Sequence, residues 1–451
     1  MPETVFRYPG AQPFRDDDVA RQTFFGRDGA AIALSDQVLA NRLVVVYAKS
    51  GVGKTSLLNA GVAPALRKAG TIPLFLRVND IEHDILRSVL DGIQAEAARQ
   101  KVEYHPGDAT SLWSFFKTAQ FWRGDLLLNP VLIFDQFEEL FTLQSDEARD
   151  RFLSELSYLV RGVAPASVAD DARLSKTAPP LQIVLSLRED FLGLLEEASG
   201  RIPQILDHRF RLAPLDRDTA AEAITCPAQI DDPNFATKPF ELDKDVVPSI
   251  LDYLTRSAAA GRKTATRYIE PFHLQLICQR IERIVAAKQK LSTAKVKFTM
   301  ADLGGEAALA ETLAGFYEDA ILSLKPARIR GVARRLCEQY LISPEGRRLS
   351  LDERELRTQL KLPTDALQQL VERRLLRTDR RADSTYYELS HDALVQPVLA
   401  SRRTQALVLG WVAVITGGVL TIALGLIALI VVLYILFGTL VSQMWWGRLL
   451  C

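Results

Sequence analysis

The chain has 451 residues, 48% of them hydrophobic and 24% charged. This globular composition excludes wholesale disorder and leaves room for roughly three domains of about 150 residues. Its 55 Lys and Arg balance 55 Asp and Glu, so no global field draws it to nucleic acid or anionic lipid, and any such partner must meet a local patch. Cys226, Cys278, Cys337 and Cys451 stand far apart with no C-x-x-C spacing, which argues against a disulfide framework and a zinc site and for a reducing compartment. The opening MPETVFRYPG has no apolar h-region, so no signal peptide is expected.

Apolar runs of strand length lie at 43–47, 72–78, 131–134 and 183–187, with a weaker fifth at 210–212. Near-continuous rather than alternating apolar residues suit strands buried on both faces, as in a parallel sheet. The intervening stretches are long enough for crossover helices. The expected fold class is therefore α/β, with a doubly wound P-loop-type parallel sheet within a domain at 1–225. Residues 162–180 read as a surface loop. A helical domain is expected at 226–325, with a loop at 231–235. Residues 326–403 read as helix, short helix, helix and two strand-like runs. The second and third helices fall at 353–360 and 364–376, and the runs at 376–378 and 385–389 flank a polar turn. That order suggests a winged helix.

Directly after the first strand comes AKSGVGKTS, residues 48–56. It is the P-loop pattern, with Ala48 where the first glycine usually stands. Gly51 and Gly53 let the backbone turn so that successive N–H groups point at phosphate oxygens, and the following helix adds its positive N-terminus. Lys54 supplies charge to the β- and γ-phosphates, and the Thr55 hydroxyl is a hard oxygen suited to Mg²⁺. The candidate phosphate-binding residues are Ser50, Gly51, Val52, Gly53, Lys54, Thr55 and Ser56.

The third apolar run ends in Asp135, which places a carboxylate at the C-terminal edge of the sheet, beside the P-loop, to hold Mg²⁺ together with Thr55. Glu138 and Glu139 follow closely. Either can orient or deprotonate water, and the sequence does not choose between them; the plainer alternative is a solvated acidic helix start. Arg188, at the tip of the fourth run, is placed to sense a γ-phosphate. Its rival role is a surface arginine paired with Glu189 or Asp190.

Together these residues resemble STAND-class P-loop ATPases, most closely the bacterial novel STAND NTPase type 1 group, over about residues 8–400. The motifs that carry the resemblance are YPGAQPF at 8–14, FFGR at 24–27, the P-loop continued by SLLNAG at 56–61, DQFEEL at 135–140, REDFL at 188–192 and ELSHD at 388–392. The resemblance implies a nucleotide-binding α/β domain, a helical domain and a winged helix, with ATP or ADP and Mg²⁺ bound. It further implies that Phe25, Gly26 and Arg27 lie against the adenine and that Pro271 contacts the nucleotide. Ser390-His391-Asp392 resembles a Met-His-Asp motif, which implies that His391 reaches the ADP phosphate and holds a closed state. The chain departs from the class in having no repeat sensor after the winged helix and no room for a folded effector before Phe24.

From Ala406 to Val441 there is no charged residue. About 36 residues at ~1.5 Å each give roughly 54 Å of helix, against a hydrocarbon core of about 30 Å. One membrane span at about 411–437 is expected in the tail, 404–451, with Trp411 and residues 434–437 at the interfaces. A two-span hairpin is the rival, and it places Arg402, Arg403 and Arg448 on one side. Ala413, Gly417, Thr421 and Gly425 recur every fourth residue, a spacing that lets helices approach closely in lipid.

The leading expectation is an ATP-dependent switch at the bacterial inner membrane with its body in the cytoplasm. ADP holds it closed; ATP, slowly hydrolysed, lets it self-associate and act through the tail, in defence or programmed cell death, after an unknown trigger or sensor protein engages it. One rival is a nucleic-acid-acting ATPase that uses Lys361, Arg373, Arg374, Arg377, Arg380 and Arg381. The other is a membrane-anchored scaffold that binds nucleotide without hydrolysing it.

Overall fold

Strand β1 (Leu43–Ala48) explains why the apolar runs are unbroken. Its Leu43 and Val45 enter one apolar cluster with Ile72, Leu74 and Leu132. Val44, Val46 and Ala48 enter another with Val131, Ile133 and Val184 on the opposite face. Successive side chains of a strand point to opposite faces, so both faces must be covered and neither tolerates a polar residue without a partner. Each fully buried Val or Leu contributes about 1.5–3 kcal/mol relative to exposure. The computed structural model describes residues 5–79, 84–169, 174–259, 268–291, 295–344, 346, 348–381, 384–390, 394–395, 397–402, 426, 429, 431–433 and 437.

All five expected strands form. β1 is joined by β2 (Thr71–Leu76), β3 (Asn129–Asp135), β4 (Gln182–Arg188) and β5 (Arg209–Arg211). They pair in parallel in the order β2-β3-β4-β1-β5. β4 therefore runs between the strand that feeds the P-loop and the strand that ends in Asp135. A small antiparallel sheet of Glu103–His105, Gln120–Arg123 and Leu126–Leu127 was not expected. Its strands are too short and too polar to give a periodic signal. Within 162–180, expected as bare loop, Ala166–Ala169 makes one helical turn.

Helices α1 (Arg217–Ala228), α2 (Val246–Ala259), α3 (Pro271–Leu291) and α4 (Ala307–Leu322) follow. They share a separate apolar cluster that includes Ile224, Leu254, Ile277, Ile281 and Leu309. Helix α1 crosses residues 225 and 226, and its start is fixed by Asp216, which accepts from the Thr219 N–H in a capping box. The loop expected at 231–235 is irregular, as read. Strands β6 (Glu241–Leu242) and β7 (Lys297–Phe298) pair in parallel beside these helices.

A third group begins with α5 (Ala327–Arg335). After β8 (Leu351–Asp352), a helical stretch runs through Glu353–Glu355 and Leu356–Leu360, then α6 (Thr364–Glu372), β9 (Leu376–Arg381) and β10 (Ser384–Leu389). β10 is central to an antiparallel sheet in the order β8-β10-β9. The helix expected to reach residue 376 stops at Glu372, because Arg374 takes a left-handed conformation with φ 60°.

The N-terminal segment touches all three groups. Tyr8 is buried among the helices; its hydroxyl donates to the Ile224 carbonyl and its N–H donates to Glu282 Oε2 at 3.2 Å. Arg7 donates to Thr237 Oγ1 at 3.0 Å and to the Ile230 carbonyl at 2.7 Å. It also pairs with Glu282 at 3.7 Å, both side chains fully buried. Phe14 donates its N–H to Ser56 Oγ at 3.2 Å, and Asn59 donates to the Phe14 carbonyl at 2.9 Å. Gln12 accepts from Arg374 Nε at 3.0 Å.

By its internal contacts the chain divides into two units, Met1–Val395 and Gln396–Cys451. Among the described residues no helix is long and apolar enough to cross a membrane. Most of the span expected at 411–437, with its small-residue face, lies outside the described residues. Leu426, Leu429, 431–433 and Phe437 are described, and all are helical and exposed.

Replacing Arg7 by Met leaves the Glu282 carboxylate buried without its cation and is expected to destabilise the fold by about 3–5 kcal/mol, read as a lowered denaturant midpoint. Burial already raises the Glu282 pKa from the usual 4.5, against the hydrogen bonds it accepts from Arg7, Thr237 and Tyr8. Removing the arginine raises it further. A carboxyl whose folded pKa is raised favours the fold least where it must ionise. The deficit of Arg7→Met is therefore smallest where the carboxyl is protonated in both folded proteins and grows as pH rises above its already raised wild-type value. A deficit independent of pH contradicts this account.

Candidate nucleotide-binding site

Strand β1 ends at Ala48, and the chain turns through Gly51 (φ 79°) and Gly53 (φ 100°) into the helix that opens at Lys54. A Cβ on Gly53 would meet nothing within 4 Å. Its glycine is thus required by the left-handed backbone and not by crowding. The Lys54 ammonium lies over the loop, 3.4 Å from the Ala48 carbonyl. Burial lowers its pKa, while Glu138 and Asp135 work in the opposite direction.

Asp135 is the next anchor. Its Oδ2 accepts from Thr55 Oγ1 at 2.7 Å, and its Oδ1 accepts from Ser186 Oγ at 2.9 Å. The second bond follows from sheet register, which sets Asp135 opposite Ser186. The Thr55 hydroxyl and the Asp135 carboxylate are hard oxygens side by side, the donor pair a small divalent cation takes from a protein when phosphate and water supply the rest. Among the described residues no group of three or more His, Cys, Asp or Glu could hold a metal alone. The donor set therefore fits Mg²⁺ bound with a phosphate and not a self-sufficient metal centre.

The geometry separates the two glutamates. After Asp135 the backbone kinks at Gln136 (φ 57°), and the Phe137 N–H donates to the Ser186 carbonyl at 2.8 Å while its ring is fully buried. This turns Glu138 inward, where its Oε2 accepts from the Arg188 N–H at 3.3 Å. Burial raises its pKa against the pull of Lys54, which suits a proton acceptor. Glu139 instead pairs with Arg77 at 3.4 Å. Arg188 sits at the tip of β4, in register with Ala48. It pairs with Asp190, as the rival reading held, and its Nη1 also lies 3.8 Å from Glu388 of β10. Burial works against its charge, but the Asp190 bond and the surrounding carboxylates outweigh burial and raise its pKa.

Phe25 and Arg27 line the same cavity, and so does Pro271 at the start of α3. Gly26 does not line it but shapes it: with φ 76°, a Cβ there would lie 2.2 Å from the Thr219 carbonyl. Arg27 ties the segment to the loop, donating to the Ala213 carbonyl at 2.6 Å and to the Val52 carbonyl at 2.9 Å. Burial lowers its pKa to about 10. Phe24, Leu215, Ala223 and Phe272 add apolar wall.

The cavity measures about 980 Å³ and is walled by all three groups of elements, near the upper end for a small-molecule site. Ser50 to Ser56 line it, with Asp135, Glu138, Glu139 and Arg188. From the third group come Arg374, Leu376, Arg377, Thr378 and Ser390. Arg27, Lys54, Arg77, Arg188, Arg374 and Arg377 give six cations against the three carboxylates of Asp135, Glu138 and Glu139, a balance suited to a polyanion. Ser390 donates its hydroxyl to the Arg374 carbonyl. His391 and Asp392, expected to reach the phosphate, lie outside the described residues. Sequence reasoning gave Ser186 no role of its own and missed Arg77 and the direction of Arg374 and Arg377. A hydroxyl inside an otherwise apolar strand was the one signal available, and it pointed to Ser186.

The family model described as Novel STAND NTPase 1 matches residues 8–397. No curated protein matches the chain. Among solved structures, a Walker-type ATPase of Pyrococcus abyssi is similar at 14% identity, covering 86% of this chain and 98% of its own, with a TM-score of 0.40. The Aeropyrum pernix ORC2 protein is similar at 13% identity, covering 84% and 95%, with a TM-score of 0.41. Likenesses this distant carry nothing about function.

Glu138→Gln is expected to slow nucleoside triphosphate hydrolysis by about 10²-fold or more, the usual worth of a positioned base, while leaving binding intact. Glu139→Gln is expected to change turnover by less than tenfold. Comparable losses in both variants, from single-turnover rates, refute the assignment of the base to Glu138.

Proposed function

This chain belongs to the Novel STAND NTPase 1 family, and from that premise we propose that it is an ATP-dependent switch whose third group of elements reports which nucleotide is bound. One observation carries the reading: Arg374, Arg377 and Ser390 line the same cavity as Lys54, Thr55 and Asp135. A nucleotide held by the P-loop then touches the third group of elements through its phosphates. A ligand shifts a conformational equilibrium only by its differential affinity for the two states, and ADP and ATP differ at that end.

In this reading ATP or ADP binds with its phosphates on residues 50–56. Thr55 and Asp135 would hold Mg²⁺, which would supply neutralising charge to the phosphates. Lys54 contacts the same phosphates, Glu138 takes the proton from attacking water, and Arg188 senses the γ-phosphate by exchanging its carboxylate partners for it. Phe25, Arg27 and Pro271 border the base. His391 is proposed to clamp ADP beside Ser390. The domains are taken as 1–225, 226–325, 326–403 and the tail at 404–451. The third is taken as a winged helix, on the support of its helices and its hairpin β9–β10. Two of the arginines counted towards a nucleic-acid surface, Arg374 and Arg377, face the cavity instead, which weakens the reading of a nucleic-acid-acting enzyme.

The tail is proposed to anchor the protein in the bacterial inner membrane, with the body in the cytoplasm, and to cluster on activation in defence or programmed cell death. The uncharged stretch from Ala406 to Val441 supports this. So does the helix at Leu426, Leu429 and Phe437, whose side chains are 56%, 55% and 73% exposed.

Lys54→Ala is expected to weaken ATP binding by about ten- to a hundredfold or more, the worth of a charge-assisted contact to phosphate. Asp135→Asn is expected to spare binding and to abolish turnover. Calorimetry tests the first and phosphate release the second; wild-type affinity in Lys54→Ala or wild-type turnover in Asp135→Asn overturns the site. Separately, deleting every residue after Arg403 is expected to give a soluble, ATP-binding body that does not arrest growth on overproduction. A truncated body as toxic as the full chain removes the tail from the mechanism.

A further inference from the structure

Helix α6 ends with a two-bond cap. The Arg374 N–H donates to the Val371 carbonyl at 2.9 Å, and the Leu375 N–H donates to the Leu370 carbonyl at 3.0 Å. The residue that turns the chain is Arg374, with φ 60°. Glycine is the usual residue at this position, because a Cβ in the left-handed region crowds the backbone. An arginine held there is a local cost, and such a cost points to a use for the side chain.

The surroundings indicate the use. Arg374 lines the nucleotide cavity. Its Nε donates to Gln12 Oε1 at 3.0 Å, which aims the guanidinium from the N-terminal segment. Its carbonyl accepts from Ser390 Oγ. Among the described residues only Nε of the guanidinium is hydrogen-bonded, so the terminal nitrogens remain available to a ligand. Burial lowers the Arg374 pKa, and Arg77, which follows β2, lines the same cavity and pairs with Glu139, adds to this as a like charge. An anion that reaches both guanidiniums would offset that repulsion.

We propose that Arg374 is a phosphate-binding residue contributed by the third group of elements, positioned by Gln12, and that its ligand is the phosphate tail of the bound nucleotide. This rests on the P-loop reading above. It makes the N-terminal segment part of the site, since Gln12 sets the direction of the arginine.

The test is the purified full-length protein with ATP, in calorimetry and thermal unfolding. Arg374→Gly removes the side chain and also relieves the left-handed strain. Its unfolding midpoint without nucleotide is expected to equal or exceed that of wild type, while ATP affinity falls about tenfold or more. Arg374→Lys keeps the charge and the strain but loses the Nε–H that Gln12 holds, and is expected to recover part of the affinity. Wild-type affinity in Arg374→Gly overturns the proposal. So does a weakened variant whose midpoint has dropped, or a lysine variant that binds as poorly as the glycine variant. Lys54→Ala is run in parallel. If it too binds ATP normally, the P-loop reading has failed and this proposal with it; if only Lys54→Ala is weakened, the failure belongs to Arg374 alone.

Discussion

The carboxylate of Asp135 accepts one hydrogen bond from Thr55 in the P-loop helix and one from Ser186 in the neighbouring strand β4. It is 7% exposed, and a buried carboxylate left without partners is expensive. Those two bonds therefore fix the spacing between the loop that follows β1, the edge of β3 and the tip of β4 before any ligand arrives. The rest of the phosphate end depends on that spacing. Glu138 is turned towards Lys54 because the chain after Asp135 is pinned to β4 through Phe137. Arg188 reaches the cavity because β4 lies between β1 and β3. Such preorganisation lets a site stabilise developing charge without rearranging at the moment of reaction.

The remaining walls are not preorganised by one sheet. They come from α1 and α3 on one side and from the turn after α6 with the tip of β10 on another. The N-terminal segment meets all of them, through Arg7 and Tyr8, Gln12 and Phe14. Its fully buried Arg7–Glu282 pair is of the kind that specifies a docking geometry while adding little net stability. A cavity walled by three groups of elements around one polyanion has an affinity that depends on how they are arranged. The arrangement must then depend on the ligand by the same free energy.

What the sequence made legible follows from period and chemistry. The five strands were readable because burial on both faces forbids polar interruptions, as in 43–47 and 131–134. The P-loop and Asp135 were readable because phosphate and a hard cation accept few residue types. Glu138 and Glu139 could not be separated, because the choice is made by a left-handed Gln136 and a buried Phe137, which are properties of the folded backbone. The sheet at 103–127 was invisible because strands of two to four residues carry no period. Arg374 and Arg377 read as surface charge, since sequence spacing does not say which way a turn points its side chains. The end of α6 was misplaced for the same reason: an arginine in the left-handed region stops a helix where glycine was the signal to seek.

The central claim is that the nucleotide's phosphates join the P-loop body to the third group of elements. Amide hydrogen exchange across β9 and β10 tests it most directly, measured on the wild-type protein without nucleotide, with ADP and with a non-hydrolysable ATP analogue. The account predicts that bound nucleotide slows exchange in 376–381 and 384–389, to different extents with ADP and with the ATP analogue, with 43–48 protected throughout. Identical exchange of both strands in all three conditions, with nucleotide binding confirmed in the same samples, would contradict it.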